Sequence, residues 1–97
     1  MLRHIVFFKF HDDVRESALE EAPKLLYGLV DGIEVIRSME IGKDILRRGH
    51  SFDLALTVTF DSLDAYLTYD THPLHLVVKK YNQTVCKEIV AVDYEFN

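Results

Sequence analysis

The feature that most constrains this chain is the order in which two hydrophobic periodicities alternate along it. Four segments alternate apolar and polar residues with the period of two that is typical of β-strands: 2–10, 33–41, 52–60 and 88–96. Between the first and second of these, and between the third and fourth, apolar residues recur at helical spacing. The sequence therefore predicts an α+β domain of order βαββαβ, the split βαβ arrangement, with an antiparallel sheet and helices on one face.

The first helix is predicted over 14–30. Asp12 or Asp13 is expected to cap its start, and Asp31-Gly32 to end it. Pro23 falls inside the apolar pattern and predicts a kink or a break, because proline removes one hydrogen bond of the helix interior.

The second helical region is predicted to contain two helices. Asp61-Ser62 is a capping signal for a short helix over 63–70. His72-Pro73 then begins a helix that runs to about residue 82, with proline at the first helical position, where no backbone N–H is missed. His72 itself is expected to cap that helix or to form a turn.

Size and composition predict one folded domain over residues 1–97, since 48 % of the residues are hydrophobic and 28 % charged. The net charge is −5 with no stripe of Lys and Arg, which argues against binding nucleic acid or an anionic membrane. The chain has neither a signal-peptide pattern nor an apolar run near the roughly 20 residues of a membrane span, so we expect a cytoplasmic protein. The only cysteine, Cys86, is expected to be an inert buried thiol.

The first and third predicted strands carry apolar residues on both faces. One face of the first strand holds large apolar groups, and the other still holds Ile5 and Phe7. Helices can cover only one face of a four-stranded sheet, and an exposed patch with Ile5 and Phe7 is a liability in a monomer. We therefore predict a homodimer in which two sheets pack face to face.

From end to end, the chain resembles the stress-responsive A/B barrel (Dabb) family of dimeric α/β-barrel proteins. The residues that carry the resemblance are Arg3-His4-Ile5-Val6-Phe7-Phe8-Lys9-Phe10, Gly32-Ile33, Gly42, Phe60-Asp61-Ser62, Tyr66, Tyr69, His72-Pro73-Leu74-His75 and Val92-Asp93-Tyr94. The resemblance implies a ferredoxin-like fold with a four-stranded antiparallel sheet. It also implies a homodimer whose sheets join into a barrel.

One branch of that family is similar to this chain in its His-Pro-x-His segment and closes poly-β-keto chains by an aldol step. The resemblance implies that His75 is the catalytic base, that Tyr69 is the acid, and that Asp93 in the last strand steadies the histidine. This chain differs from that branch at Leu54, where the branch has a further histidine, and in the first helix near Pro23, where the branch holds an alkyl tail. Because both differences fall in the pocket of that branch, the resemblance does not carry the substrate of the branch over to this chain.

The position of His75 suits a base. It falls at about the third position of its helix, where the positive helix end disfavours imidazolium, while a carboxylate such as Asp93 would favour it and fix the tautomer. A neutral imidazole beside the Tyr69 hydroxyl can remove a proton alpha to a carbonyl while the hydroxyl donates to the developing oxyanion. The alternative is structural: His75 caps the helix and bonds the last strand.

Other polar residues are candidates for the same site. His4 is either a hydrogen-bonded core residue or a polar group of a pocket. Because the resemblance turns its strand face toward the helices, we expect His4, Phe8 and His75 to border one cavity, and Tyr66 to lie either there or in the core. His72 and His75 are three residues apart, but two ligands without an acidic cluster do not define a metal site, and we assign none.

Three hypotheses follow. The first is an interaction or stress-related protein, chiefly structural, whose barrel binds a small apolar ligand. The second is an enzyme without a cofactor that acts on a β-keto or aromatic metabolite with His75 and Tyr69. The third, a heme- or metal-dependent barrel, lacks a convincing ligand set. A cavity of roughly 300 Å³ or more at Tyr69 and His75 would favour the second. Arg37 can pair with an acidic ligand, but we expect it in solvent or in a dimer salt bridge.

Overall fold

The computed structural model describes residues 1–97 as four β-strands and three α-helices. In chain order they are β1 (Leu2–Phe10), α1 (Arg15–Gly32), β2 (Ser38–Lys43), β3 (Leu54–Phe60), α2 (Leu63–Asp70), α3 (Pro73–Val85) and β4 (Cys86–Glu95). This order confirms the βαββαβ prediction, including its division of the second helical region into two helices. None of the helices is long and apolar enough to cross a membrane.

The strands form one antiparallel sheet in the order β2-β3-β1-β4, so β1 is central and β4 is an edge strand. Alternate residues of β1 are buried: Leu2, His4, Val6, Phe8 and Phe10. They face the helices, and the residues between them face away. We call these two sides the covered face and the bare face of the sheet. Residues opposite each other in neighbouring strands share a face, so the register assigns every strand position to one of them.

The start of α1 differs from the prediction. Asp12–Val14 form a 3₁₀ turn, Val14 occupies the N-cap position, and no side chain caps the helix. The prediction that Asp12 or Asp13 caps α1 is therefore wrong, because the 3₁₀ turn holds both aspartates ahead of the helical N–H groups. Asp12 instead accepts a hydrogen bond from Arg15 Nη2 at 2.7 Å.

Pro23 does not break α1, which runs without interruption over 18 residues. The lost hydrogen bond is offset by packing, because Ala22 and Leu26 on either side of the proline are both buried against the sheet. The helix ends at Gly32 as predicted, where Ile33 N–H donates to Leu29 O at 2.9 Å. A Cβ at Gly32 would lie 2.5 Å from Leu74 Cδ1, so the glycine permits the close approach of α3.

The second strand is shorter than predicted, since residues 33–37 do not pair with the sheet as a strand. Ile33 and Ile36 are both buried, and Ile36 N–H donates to Ile33 O at 3.2 Å. Two buried residues three positions apart require a turn rather than an extended strand. The alternation over 33–37 therefore reflects two core contacts, and regular pairing begins at Ser38.

Asp53 links the sheet to the helices at one edge of the core. Its carboxylate is 1 % exposed and accepts hydrogen bonds from Phe10 N–H at 2.8 Å, Arg15 Nε at 3.2 Å and Arg47 Nη2 at 2.8 Å. Burial alone would raise the pKa of Asp53, but the three donors together lower it below its usual value. The alternating sequence around residue 53 gives no sign of this buried charge.

Cys86 lies at the start of β4 and is buried. Burial raises the pKa of its thiol to about 11, so the reactive thiolate is scarce at neutral pH. This agrees with the expectation of an inert thiol.

Candidate functional site: a cavity between the sheet and the helices

A cavity of about 240 Å³ lies between the covered face of the sheet and the helices. Its apolar wall includes Val6, Phe8, Leu26, Leu56, Ile89 and Ala91. Of the six site residues predicted from the sequence, five border the cavity: His4, Phe8, Tyr66, Tyr69 and His75. The remaining one, Asp93, is not part of the wall. The cavity is somewhat smaller than the roughly 300 Å³ at which small-molecule sites commonly begin, so it does not reach the size that would favour the enzyme. Tyr69 belongs to the buried core and borders the cavity, and His75 is half-buried beside it.

His75 is placed by the turn that joins α2 to α3. His72 caps α3, its Nδ1 accepting from Leu74 N–H at 3.1 Å, and Pro73 is the first helical residue, so the predicted cap is confirmed. His75 is then the third helical residue. Its Nδ1 lies 2.9 Å from Asp70 O, and because a carbonyl oxygen can only accept, Nδ1 carries the proton. The lone pair of the neutral ring is therefore on Nε2, and the capping role considered for His75 belongs to His72.

The protonation of His75 is set by its surroundings. Burial lowers its pKa below the usual 6.5 and outweighs the opposing effects of the Asp70 carbonyl and carboxylate. The positive charge of Lys79, which also borders the cavity, acts in the same direction as burial. His75 is thus neutral at pH 7, as its helical position predicts, and its Nε2 can accept a proton.

Tyr69 lies against His75. The two rings stack with centroids 4.2 Å apart and planes at 29°, and Phe60 packs at 5.1 Å from the Tyr69 ring. The side chain is 1 % exposed, and burial raises the pKa of its hydroxyl. The hydroxyl therefore keeps its proton and can act as a hydrogen-bond donor beside a neutral imidazole.

Tyr66 borders the cavity from the same helix and is half-buried. The pKa of the Tyr66 hydroxyl is raised to about 12, chiefly by burial and further by the negative charges of the Asp70 and Asp93 carboxylates. Its ring lies 5.1 Å from that of His4 and 6.2 Å from that of Tyr69. Tyr66 occupies both of the locations considered for it, since it borders the cavity and packs against the buried core.

Asp93 serves a different histidine from the one expected. The register sets Asp93 of β4 directly opposite His4 of β1, and His4 Nδ1 donates a hydrogen bond to Asp93 Oδ1. The expectation that Asp93 steadies His75 is therefore wrong. Cross-strand neighbours have adjacent Cβ atoms, so His4 takes the carboxylate, and His75 is oriented by the backbone of Asp70 instead.

Four polar residues at the cavity were not predicted from the sequence: Asp70, Lys79, Asn82 and Gln83. The last three follow His75 on α3 at spacings of four, seven and eight, so the periodicity of α3 could have found them. Asp70 acts on His75 chiefly through its carbonyl, for which no side-chain pattern exists. Asn82 is 4 % exposed, and its Oδ1 has no hydrogen-bond partner.

Two further features considered in the sequence, Arg37 and a metal site, are not part of the cavity. Arg37 is exposed and pairs with Asp61 of the same chain, Nε to Oδ1 at 3.1 Å, so it does not meet a ligand in the cavity. The structure contains no group of three or more His, Cys, Asp or Glu side chains that could hold a metal ion.

Comparison with known proteins places these features in a family. Residues 2–96 match the family model of the stress responsive A/B barrel domain. The stress-response A/B barrel domain-containing protein At5g22580 of Arabidopsis thaliana is 33 % identical over 95 % of this chain and 83 % of its own length. Olivetolic acid cyclase of Cannabis sativa is 25 % identical over 96 % of this chain and 94 % of its own.

A solved structure shows the same architecture. It is a dimeric protein of unknown function and ferredoxin-like fold from Bacteroides fragilis, with a TM-score of 0.88 and 33 % sequence identity. The similarity covers 98 % of this chain and 95 % of that one. The expected ferredoxin-like fold is thereby confirmed.

Proposed function

The chain belongs to the stress responsive A/B barrel family, and we propose that it is a homodimer that binds a small, mostly apolar molecule between its sheet and its helices. One observation carries the proposal: the cavity combines an apolar wall with an unpaired Tyr69 hydroxyl and an unpaired His75 Nε2. Pockets of this composition, mostly apolar with a few convergent polar groups, are typical of small-molecule sites. With about 240 Å³ of space, the ligand is small.

The bare face supports the homodimer. The register brings Val92 opposite Ile5 and Val90 opposite Phe7 on that face, and both valines and Phe7 are exposed in the single chain. A contiguous apolar patch of this kind is typical of an interface. The Bacteroides fragilis relative is dimeric, which agrees with this assignment.

Binding can be tested with naphthalene as an apolar probe. We expect it to shift the NMR resonances of Leu56 and Ile89 in the cavity wall. Ala91→Phe fills the cavity from β4 and should abolish these shifts, whereas Val77→Phe, on the exposed side of α3, should leave them intact. Absence of any shift at the cavity residues of the wild-type protein would contradict the proposal.

The stacked His75 and Tyr69 favour a second candidate function, enolisation of a β-keto or aromatic ketone without a cofactor. His75 Nε2 would take the proton from the carbon next to the carbonyl, and the electron pair of that C–H bond would form the C=C bond of an enolate. Tyr69 would donate a hydrogen bond to the enolate oxygen. Olivetolic acid cyclase, 25 % identical, is a cyclase by name, which is compatible with enolate chemistry in this family.

Exchange of the α-hydrogens of phenylacetone for solvent deuterium measures this step directly. We expect the wild-type protein to accelerate exchange, and His75→Ala to lose the acceleration while its melting temperature stays near that of wild type. His72→Ala is the matched control, because it removes the helix cap and lowers stability without removing the base. If His75→Ala loses only stability, or if wild type does not accelerate exchange, His75 is structural.

A further inference from the structure

We propose that the ligand of the cavity is a carboxylic acid with an apolar body, and that Lys79 and Gln83 bind its carboxylate where the cavity opens to solvent. This inference rests on the proposed binding function and specifies the chemical class of the ligand. Both residues border the cavity from α3, and Lys79 is the only lysine or arginine that does so.

The cavity opens between α3 and β4, and we call this opening its mouth. The residues of the wall differ in exposure. Those at the mouth are exposed, Lys79 and Gln83 of α3 and Ile89 and Ala91 of β4, whereas the apolar residues further in are buried, Val6, Phe8, Leu26 and Leu56. A charged group loses much of its hydration free energy when it is buried. A bound molecule with one charged end therefore places its apolar body inside and that end at the mouth.

The polar groups at the mouth are hydrogen-bond donors. Lys79 and Gln83 are four residues apart, so their side chains are neighbours on the surface of α3. The ammonium group of Lys79 has three N–H donors and no acceptor, and the amide of Gln83 adds two donors. Lys24 and Lys87 pair with acidic residues of the chain, but Lys79 takes part in no ion pair. A ligand carboxylate would supply a partner for both donors.

Asp70 is the one acidic residue on the cavity wall, and its contacts decide between an acid and an amine as the ligand. Asp70 Oδ1 accepts a long hydrogen bond from the Tyr66 hydroxyl, at 3.5 Å, and Asp70 forms no ion pair with Lys79. The two charges thus lie apart on the wall. A ligand ammonium group at the mouth would be repelled by Lys79, whereas a carboxylate there would be attracted to it.

The spacing of residues on α3 also sets which part of the ligand faces His75. Lys79 follows His75 by four residues, so the two lie about 6 Å apart along the helix axis. A ligand held at Lys79 by its carboxylate therefore presents its body, or a carbonyl group within it, to His75 Nε2 and the Tyr69 hydroxyl. The positive charge of Lys79 lowers the pKa of His75, and a bound carboxylate would offset that charge.

The test compares 3-phenylpropanoate with 3-phenylpropanamide, which have nearly the same shape and differ in charge. Titration calorimetry on the wild-type protein at pH 7 and low salt should give an affinity about fivefold higher for the acid, the effect expected of one partly exposed ion pair. Lys79→Met keeps an apolar stem at this position and should lower the affinity for the acid to that for the amide. Lys80→Met is the matched control, because it removes the same charge from a residue that does not border the cavity, and it should retain the preference.

A second measurement uses the wild-type protein alone. In an NMR titration, the pKa of His75 should be higher in the complex with the acid than in the complex with the amide, because the carboxylate offsets the charge of Lys79. An equal pKa of His75 in the two complexes would place the carboxylate away from Lys79 and overturn the inference.

The outcomes separate this inference from the proposed function. Equal affinities of the wild-type protein for the acid and the amide would overturn the inference, as would a preference that Lys79→Met retains or that Lys80→Met also loses. Binding of naphthalene but of neither phenyl compound would overturn it too and leave the proposed function intact. Binding of none of the three would overturn the proposed function and this inference together.

Discussion

The two faces of the sheet are built from the same strands but are completed in different ways. Phe8 is 4 % exposed on the covered face, and its neighbour Phe7 is 43 % exposed on the bare face. The covered face packs against the chain's own helices at β1 and β3 and borders a cavity with polar groups, while Ile89 and Ala91 of β4 on the same face are exposed. The bare face has no cover within one chain. The proposed functions follow this difference: we assign ligand binding to the covered face of the single chain and assembly to the bare face.

The apolar part of the bare face is larger than the sequence predicted. The prediction of a homodimer relied on Ile5 and Phe7 of β1, and the strand register adds Val90, Val92 and Tyr94 of β4. Apart from Cys86, β4 is exposed along its whole length. An exposed apolar edge strand promotes unwanted association unless it is covered, and a second copy of the chain would cover it.

The largest expected effect comes from truncating the two adjacent phenylalanines. Phe8→Ala should lower the free energy of unfolding by about 3–5 kcal/mol at any protein concentration, because it leaves a hole in the covered face. Phe7→Ala should lower it by less than about 1 kcal/mol in dilute protein, where the residue is half in water, and by more as concentration rises. Urea denaturation at two protein concentrations measures both, and a concentration-independent loss in Phe7→Ala would contradict the assigned roles.

A smaller effect is expected at the edge of the covered face, where Asp53 holds Arg15 and Arg47. Asp53→Asn should cost about 2 kcal/mol of stability, since charged hydrogen bonds are replaced by neutral ones. The folded-state pKa of Asp53 is lowered, so its contribution is present above the usual aspartate pKa and is lost as pH falls through the lowered value. The free energy of unfolding should decrease less with falling pH in Asp53→Asn than in the wild-type protein. Asp61→Asn is the control: it alters the exposed pair with Arg37, and its free energy of unfolding should follow the wild-type pH curve.

The smallest effect concerns the protonation of His75 in the cavity. Its pKa is lowered on folding, so the unfolded chain binds more protons as pH falls below about 6.5, and stability decreases in that window. An NMR titration should show the His75 ring protonating below the usual histidine pKa, and His75→Phe should remove this part of the pH dependence. A pKa above 6.5 would mean that burial does not control the ring.

The sequence predicted the layout of both faces better than the details of the site. Periodicity and proline placement were enough for the element order and for the turn that carries His75. They failed at 33–37, where two buried isoleucines follow the pattern of a strand. The resemblance to the family failed at Asp93, whose partner His4 is set by the cross-strand register. Helical spacing from His75 places Asn82 on the cavity side of α3, but the burial of its side chain is visible only after packing.

The most direct test of the division between the two faces is sedimentation velocity on the wild-type protein and on Val92→Glu at micromolar concentration. Val92 lies on the bare face opposite Ile5, and a buried, unpaired carboxylate there should disrupt the pairing of two sheets. We expect a wild-type dimer and a folded Val92→Glu monomer that still binds naphthalene in its cavity. A wild-type protein that sediments as a clean monomer would contradict the homodimer and the role assigned to the bare face.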